Sequence, residues 1–201
     1  MEKTLTIFAG INGAGKSTLY RFKTSQEMGD LGVRICPDEI LEDFGGDWSN
    51  RVDVFNSGRI AINEMDYCLE EGLSFNWETT IISPFFLRLA ERAKSCGYKI
   101  DLHFIGVDDV NQSLERIRKR VLNGGHGIDA NIVASRHKNQ LNNMIEAFKY
   151  VDNAIFYDNS NTLKVVSVYF DQGLHIYNEN FEWVRALKKQ FINVNEKVFK
   201  N

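Results

Sequence analysis

The chain has 201 residues, of which 43% are hydrophobic, and this length and composition favour one folded domain with a full core. Its 24 Lys and Arg residues against 27 Asp and Glu residues give a net charge of −3, which argues against nucleic acid as a partner. Three scattered cysteines, no apolar run of about 20 residues and a strand that begins by residue 4 predict a cytoplasmic protein with reduced thiols, no membrane span and no signal peptide.

Strand and helix patterns alternate along the chain, which predicts an α/β fold of three layers with a mainly parallel sheet between helices. The predicted strands cover residues 4–9, 33–36, 73–77, 99–107 and 154–157. A last pair of strands, residues 163–169 and 174–177, is predicted to extend the sheet as a C-terminal β-hairpin. We expect residues 1–201 to form a single domain.

Apolar residues at helical spacing, with glycine or proline near the ends, predict the helices. The first clear helix after the P-loop helix covers residues 52–71, and its predicted buried stripe is Phe55, Ile62, Met65 and Leu69. Further helices are predicted over residues 84–96, 110–121, 133–148 and 181–192. The segment 37–51 has no clear period and is predicted to be a loop on the substrate side of the domain.

Residues Gly10–Ser17 read Gly-Ile-Asn-Gly-Ala-Gly-Lys-Ser, a phosphate-binding P-loop, between a predicted strand and a predicted helix. The glycines let successive backbone N–H groups point at one anion, and the helix N-terminus adds partial positive charge. Lys16 is expected to reach the β- and γ-phosphates, and the Ser17 hydroxyl is expected to bind Mg²⁺. The predicted nucleotide-binding residues are Asn12, Gly13, Ala14, Gly15, Lys16, Ser17 and Thr18.

Two carboxylates follow predicted strands at the edge of the sheet that carries the P-loop. Asp38 follows the second strand, where it is placed to take the proton of an attacking hydroxyl, to cap the following helix, or to do both. Glu78 ends the third strand, which is predicted to adjoin the P-loop strand. There it could hold a Mg²⁺-bound water or a substrate hydroxyl, or have a purely structural role.

Arginines cluster around a Gly-Gly hinge in the second half of the chain. Arg116 and Arg120 are four residues apart and share one flank of a helix, while Arg136 lies on the next helix. Arginines on two helices beside a hinge are typical of a kinase lid, here residues 116–136, where they neutralise charge on the transferring phosphoryl group. The alternative is a solvated basic helix face. His126, beside the hinge, is expected either to bind phosphate or to cap a turn.

Arg59 falls at the edge of the apolar stripe of the helix predicted over residues 52–71. A cation in that position needs an anionic partner, which is either a phosphate group of a bound substrate or the nearby Asp66. Arg59 is therefore a candidate substrate-binding residue.

These motifs together resemble the zeta-toxin family of P-loop kinases over about residues 4–177. The likeness rests on motifs that follow one another in the family's order: the P-loop, Pro37-Asp38, Arg59, Trp77–Thr80, Arg120-Val121, Gly124–His126, Arg136 and Tyr157–Ser160. Each motif alone is weakly specific, whereas their combination at these spacings is fairly specific.

The resemblance implies an ATP- or GTP-dependent kinase that requires Mg²⁺ and phosphorylates the sugar 3′-hydroxyl of a UDP-N-acetyl amino sugar. It also implies a small helical antitoxin as a partner that blocks the nucleotide site. Residue by residue, Asp38 matches the catalytic base, Lys16 the phosphate ligand and Ser17 the Mg²⁺ ligand. Glu78, with Thr79 beside it, matches the substrate-binding acid.

The resemblance assigns the lid arginines as well. Arg120 and Arg136 match them, and Arg116 competes with Arg120 for its place in the alignment.

Two other functions stay open on the residues alone. One is a P-loop kinase for a different small acceptor, such as a sugar acid, an antibiotic or a nucleotide, since similar folds serve all of these. The other is an NTP-binding switch without transfer activity. The chain shows no glutamine placed to orient an attacking water, which argues against the switch.

Overall fold

The computed structural model describes residues 2–26, 30–80 and 82–198, so both ends of the predicted 1–201 domain lie outside the described residues. In this part of the chain the strands are β1 (Thr4–Ala9), β2 (Val33–Ile35), β3 (Phe75–Thr79), β4 (Lys99–Gly106), β5 (Asn153–Asp158), β6 (Lys164–Phe170) and β7 (Gly173–Ile176). The helices are α1 (Lys16–Ser25), α2 (Pro37–Asp43), α3 (Arg51–Glu71), α4 (Pro84–Ser95), α5 (Val110–Leu122), α6 (Ala130–Lys138), α7 (Met144–Ala147) and α8 (Glu182–Val198). None of the helices in these ranges has the length and apolar sequence that crossing a membrane requires.

The seven strands form one sheet in the order β2-β3-β1-β4-β5-β6-β7. Strands β1 to β5 are parallel, whereas β6 and β7 run antiparallel and extend the edge. The hairpin turn between β6 and β7 places Asp171 and Gln172 at positive φ, as a tight two-residue turn requires. The predicted mainly parallel sheet with a C-terminal β-hairpin is confirmed.

Helices cover both faces of the sheet, and the central strand β1 shows why. Its residues point alternately to the two faces. Leu5 and Ile7 belong to the larger core, which includes residues of α3, α4 and α8. Phe8 points the other way, into a second core with Leu19 of α1 and Ile117 of α5. The three-layer prediction is therefore confirmed.

Two predicted segments differ from the structure. The first seven residues of segment 37–51 form α2, because Pro37 at the helix start and acidic residues in the first turn favour a helix that is too short to show a period. The helix predicted over residues 133–148 is interrupted between α6 and α7. Asn143 has φ of 60°, a left-handed conformation that an α-helix cannot continue through.

The buried stripe of α3 also differs from the prediction. Its buried residues are Ser57, Ala61, Met65, Cys68 and Leu69. Phe55 is 69% exposed and Ile62 is 39% exposed, so the predicted stripe was wrong over the N-terminal half of the helix. The helix carries two apolar faces, and the one with small side chains packs inward because it allows a closer approach to the sheet and α2.

His103 on β4 is a buried histidine that the sequence did not single out. It stacks on Phe8 at 5.1 Å between ring centroids, and its Nδ1 lies 3.2 Å from the Tyr157 hydroxyl. Burial, with a smaller contribution from the charge of Lys23, lowers the pKa of His103 to about 3. The folded protein therefore holds this imidazole neutral.

The neutral His103 predicts a loss of stability in acid. The unfolded chain binds a proton at this residue below about pH 6.5 and the folded chain does so only near pH 3, so the free energy of unfolding falls by up to about 1.4 kcal/mol per pH unit in between. Urea unfolding at pH 7.5 and pH 4.5 measures this. His103→Gln, which keeps a hydrogen-bonding partner for Tyr157, should reduce the difference by about 2–3 kcal/mol. An equal pH dependence in His103→Gln and in the exposed control His175→Gln would contradict it.

Candidate active site

The P-loop connects β1 to α1, which begins at Lys16. Gly13 and Gly15 have φ of 77° and 107°, and a Cβ on either would lie 2.6 Å from another atom, the Ser113 carbonyl oxygen or Asn159 Nδ2. Only glycine fits at these two positions. The Ala14 N–H donates to the Ile11 carbonyl at 3.1 Å and closes the turn. The loop thus has the compact form that turns backbone N–H groups toward an anion.

A cavity of about 520 Å³ opens above the P-loop, between α2, the end of β3, and α5 with the Gly125-His126 segment after it, which belongs to the predicted lid. The predicted site residues that line it are Asn12, Gly13, Gly15, Lys16, Ser17, Thr18, Asp38, Glu78, Arg116 and Arg120. Most of the predicted site is therefore brought to one place, as expected for side chains that follow parallel strands.

Lys16, Ser17 and Glu78 form a buried polar cluster at the floor of this cavity. The Lys16 ammonium donates to the Ile11 carbonyl at 3.2 Å and lies 3.8 Å from Glu78 Oε1. The Ser17 hydroxyl donates to the same carboxylate at 3.0 Å. Burial lowers the pKa of Lys16, against the opposing charges of Glu78 and Asp38. As predicted, β3 lies beside β1, and the register pairs Phe8 with Glu78.

Asp38 lies in the first turn of α2 and faces the cavity with a side chain that is 53% exposed. The N-cap position belongs to Cys36, so Asp38 is not the cap of α2. Its Oδ2 lies 2.9 Å from Nε2 of His126. Burial tends to raise the pKa of Asp38, but the contact with His126 and the charges of Lys16 and Arg120 lower it below its ordinary value. Asp38 is thus an ionised carboxylate on the wall opposite the P-loop.

The three lid arginines have different surroundings. Arg116 donates to the carbonyls of Gly13 and Asn159 at 3.3 and 2.6 Å. Arg120 donates through Nε to the His126 carbonyl at 2.9 Å, whereas its buried Nη2 has no hydrogen-bond partner among the described residues. Arg136 on α6 donates to the Asn12 side chain in the P-loop and does not line the cavity itself.

Three predicted binding residues lie outside the cavity: Ala14, Arg59 and Thr79. Ala14 is a buried P-loop residue, and Thr79 is half-buried at the end of β3. Arg59 is exposed on α3, and its suggested partner Asp66 instead pairs with Arg92 at 2.8 Å. The prediction placed Arg59 at the edge of the buried stripe because it took Phe55 and Ile62, which are exposed, as the N-terminal half of that stripe.

The order of these elements around one P-loop matches a known family. The family model described as zeta toxin matches residues 1–182. The chain belongs to the zeta toxin family. The resemblance inferred from the motifs is thereby confirmed, and the P-loop, β3 and the lid of this zeta toxin family member all lie inside the matched residues.

One protein of similar sequence and two solved structures of similar fold can be compared with this zeta toxin family member. An uncharacterized protein of Haemophilus influenzae is 29% identical over 137 residues, which span 68% of this chain and 94% of the relative. A chain of the PezAT chromosomal toxin-antitoxin system of Streptococcus pneumoniae has a TM-score of 0.64 at 17% identity, covering 99% of this chain and 86% of that chain. A chain of the AvrRxo1-ORF1:-ORF2 structure with ATP has a TM-score of 0.66 at 13% identity, covering 94% and 63%. At these identities the two structures establish a shared fold.

The sequence analysis missed two residues that contact the predicted site residues. Arg34, in the middle of β2, donates to Glu78 Oε2 at 2.7 Å and stacks over the Tyr20 ring at 3.8 Å. Asn159 follows β5 and donates to the carbonyl of Ala14 at 2.7 Å, so it braces the P-loop. Asn159 lies in a motif that the sequence analysis noted without a role. Arg34 had no signal, because its partners come from separate elements.

Removal of Arg34 is expected to destabilise the protein through Glu78. Burial acts to lower the pKa of Arg34, but its hydrogen bonds to Glu39 and Glu78 raise it overall. Arg34→Met leaves the Glu78 side chain, only 8% exposed, with the more distant Lys16 as its cation, so the free energy of unfolding should fall by about 3 kcal/mol. Guanidinium unfolding measures the change. Glu78→Gln in the Arg34→Met background should recover part of the loss, and strictly additive effects would contradict the pairing.

Proposed function

We propose that this protein is a Mg²⁺-dependent kinase that transfers the γ-phosphoryl group of ATP, or of GTP, to a hydroxyl group of a small molecule. One observation carries the proposal. Lys16, the unpartnered guanidinium nitrogen of Arg120 and the ionised Asp38 line the same cavity, so phosphate-binding cations face a carboxylate that can accept a proton. On this proposal the unit that acts is the single domain 1–201, with residues 116–136 as its lid.

The P-loop residues fit a nucleotide. Gly13 and Gly15 allow the tight turn of the P-loop, because a Cβ on either would collide with Ser113 or Asn159. The buried Nη2 of Arg120, which has no hydrogen-bond partner among the described residues, needs an anionic partner. Ser17 is the hydroxyl that would hold Mg²⁺, with the Glu78 carboxylate beside it. When bound, Mg²⁺ supplies positive charge to the β- and γ-phosphate oxygens.

Each remaining step falls to a residue of this chain. Lys16 binds the γ-phosphate oxygens, and Arg120 neutralises the charge that spreads over them in the transition state. Arg136 holds the P-loop in place through its hydrogen bond to the Asn12 side chain. Its positive charge also attracts the Asp38 carboxylate. Asp38 orients the acceptor hydroxyl and takes its proton as the bond to phosphorus forms.

For the acceptor we propose a UDP-N-acetyl amino sugar, on the strength of family membership. Glu78 and Thr79 are then the residues proposed to contact it. A second class of acceptor is favoured by a specific observation. The cavity wall beside Asp38 carries Glu42 and also Glu39, which is paired with Arg34, whereas Arg59, the expected phosphate ligand, lies outside the cavity. The acidic side chains of this wall suit an uncharged or amine-bearing acceptor, such as an aminoglycoside-like antibiotic, better than a second group of phosphates.

We also propose a small helical antitoxin as a protein partner. The PezAT neighbour is part of a chromosomal toxin-antitoxin system, and the AvrRxo1-ORF1 neighbour is paired with ORF2. An assembly of the same kind would restrain this kinase by covering its nucleotide site.

The test is ³¹P NMR of the purified protein with Mg-ATP and UDP-N-acetylglucosamine, beside a second sample with an aminoglycoside. A new phosphomonoester signal in the first sample supports the nucleotide-sugar acceptor, and one in the second sample supports the alternative. ADP formation without either signal would leave the kinase without its proposed acceptors. Neither ADP nor product, under conditions where ATP binds, would contradict the proposed function.

A further inference from the structure

The side chain of His126 joins the lid to the helix that carries Asp38. Its Nε2 lies 2.9 Å from Asp38 Oδ2, and its Nδ1 lies 3.9 Å from Glu42 Oε1 one turn further along α2. An ionised carboxylate only accepts hydrogen bonds, so Nε2 carries the proton in the first contact. The N–H is not aligned on the oxygen as in an ideal hydrogen bond, which makes the contact chiefly electrostatic. The imidazole is 18% exposed and the Asp38 side chain is 53% exposed, so water screens this attraction in part.

The main chain of the same residue is tied to the phosphate side of the cavity. The His126 carbonyl accepts the Nε–H of Arg120 at 2.9 Å. A Cβ on the preceding Gly125 would lie 2.7 Å from Arg120 Cγ, so the loop packs directly on that side chain. His126 therefore contacts both Arg120 and the Asp38 carboxylate on the opposite wall of the cavity.

We propose that His126 is a positioning residue for Asp38: it holds the carboxylate against the lid, aimed into the cavity. The proposal rests on the proposed kinase function, in which Asp38 is the base. It replaces the two expectations from sequence, a phosphate ligand or a turn cap, because the imidazole faces carboxylates rather than the P-loop.

Several charged groups besides His126 influence the pKa of Asp38. Lys16 from the P-loop, Arg120 from α5 and Arg136 from α6 act on it from the phosphate side. Glu42, on the same helix as Asp38, works in the opposite sense. The imidazole lies between the two carboxylates and is the nearest group to Asp38 among these residues. Loss of the imidazole should therefore raise the pKa of Asp38.

The experiment compares wild type, His126→Gln and the control His175→Gln, whose histidine is exposed on β7. The carboxyl ¹³C signal of Asp38 is titrated by NMR, and the transfer rate is followed over the same pH range, which extends below the ordinary midpoint of an aspartate. In His126→Gln we expect the Asp38 midpoint and the acid limb of the rate profile to move together to higher pH. On that acid limb the transfer rate should fall several-fold, while KM for ATP stays the same because the backbone carbonyl still holds Arg120.

The outcomes separate this proposal from the proposed function. An unchanged Asp38 midpoint in His126→Gln would overturn the positioning role whether or not the protein is a kinase. A shifted midpoint with an unshifted rate profile would also overturn it, since Asp38 would then not limit transfer. Absence of transfer in wild type would contradict the kinase, and the NMR titration would still decide whether His126 sets the state of Asp38.

Discussion

Lys16→Ala is expected to reduce nucleotide-dependent phosphoryl transfer by at least about 10³-fold. The ammonium is buried at the cavity floor, held by the Ile11 carbonyl and close to Glu78. Among the described residues that line the cavity, Lys16 is the cation on the P-loop itself, and its loss removes the charge that faces the β- and γ-phosphates from that loop. Release of ADP and formation of the phosphorylated product, measured in one reaction, check this result.

The control is Lys119→Ala. Lys119 lies on α5 with a side chain that is 71% exposed and pairs only with Glu115, at 3.7 Å. The Lys119→Ala variant should transfer the phosphoryl group at the wild-type rate. Transfer by Lys16→Ala at the wild-type rate would show that the P-loop has been assigned the wrong role.

Asp38→Ala is expected to slow transfer by about 10³-fold while nucleotide binding is kept. The carboxylate orients the acceptor hydroxyl and takes its proton, but it does not belong to the P-loop. Because its negative charge opposes the phosphates near Lys16, its removal should leave ATP binding equal or slightly tighter. Stopped-flow transfer rates and calorimetric titration of ATP measure the two effects separately.

Asp43→Ala is the matched control, since Asp43 is an exposed carboxylate at the end of the same helix and lies outside the cavity. A transfer rate for Asp38→Ala within the range of Asp43→Ala would exclude Asp38 as the base. Weaker ATP binding in Asp38→Ala would instead place the carboxylate in the nucleotide site.

The sequence predicted best those parts of the molecule that depend on local geometry. The P-loop is encoded in consecutive residues, because glycine at positions 13 and 15 is a direct requirement of the turn. Asp38 and Glu78 could be placed at the same edge because parallel strands deliver their carboxyl ends to one side of a sheet. The hairpin at Asp171 likewise depends on two adjacent residues.

The remainder depends on packing, which spacing alone does not specify. Arg59 is exposed and does not lie at the edge of a buried stripe, because the tertiary structure buries Ala61 in place of Ile62. Its role in substrate binding stays a prediction. Arg34 was missed because its partners Tyr20 and Glu78 come from different elements. The pairing of His126 with Asp38 spans 88 positions of sequence and has no local signal.

The strand order gives the P-loop side and the Asp38 side of the cavity different numbers of neighbouring strands. The P-loop follows β1, which is bonded on both sides within the sheet, whereas Asp38 follows the three-residue edge strand β2, which pairs with β3 alone. Insertions and substitutions after β2 therefore disturb few strand contacts. On the proposed function, a lineage of such proteins can exchange one acceptor for another by altering residues 39–53 while its phosphate-handling half is inherited unchanged.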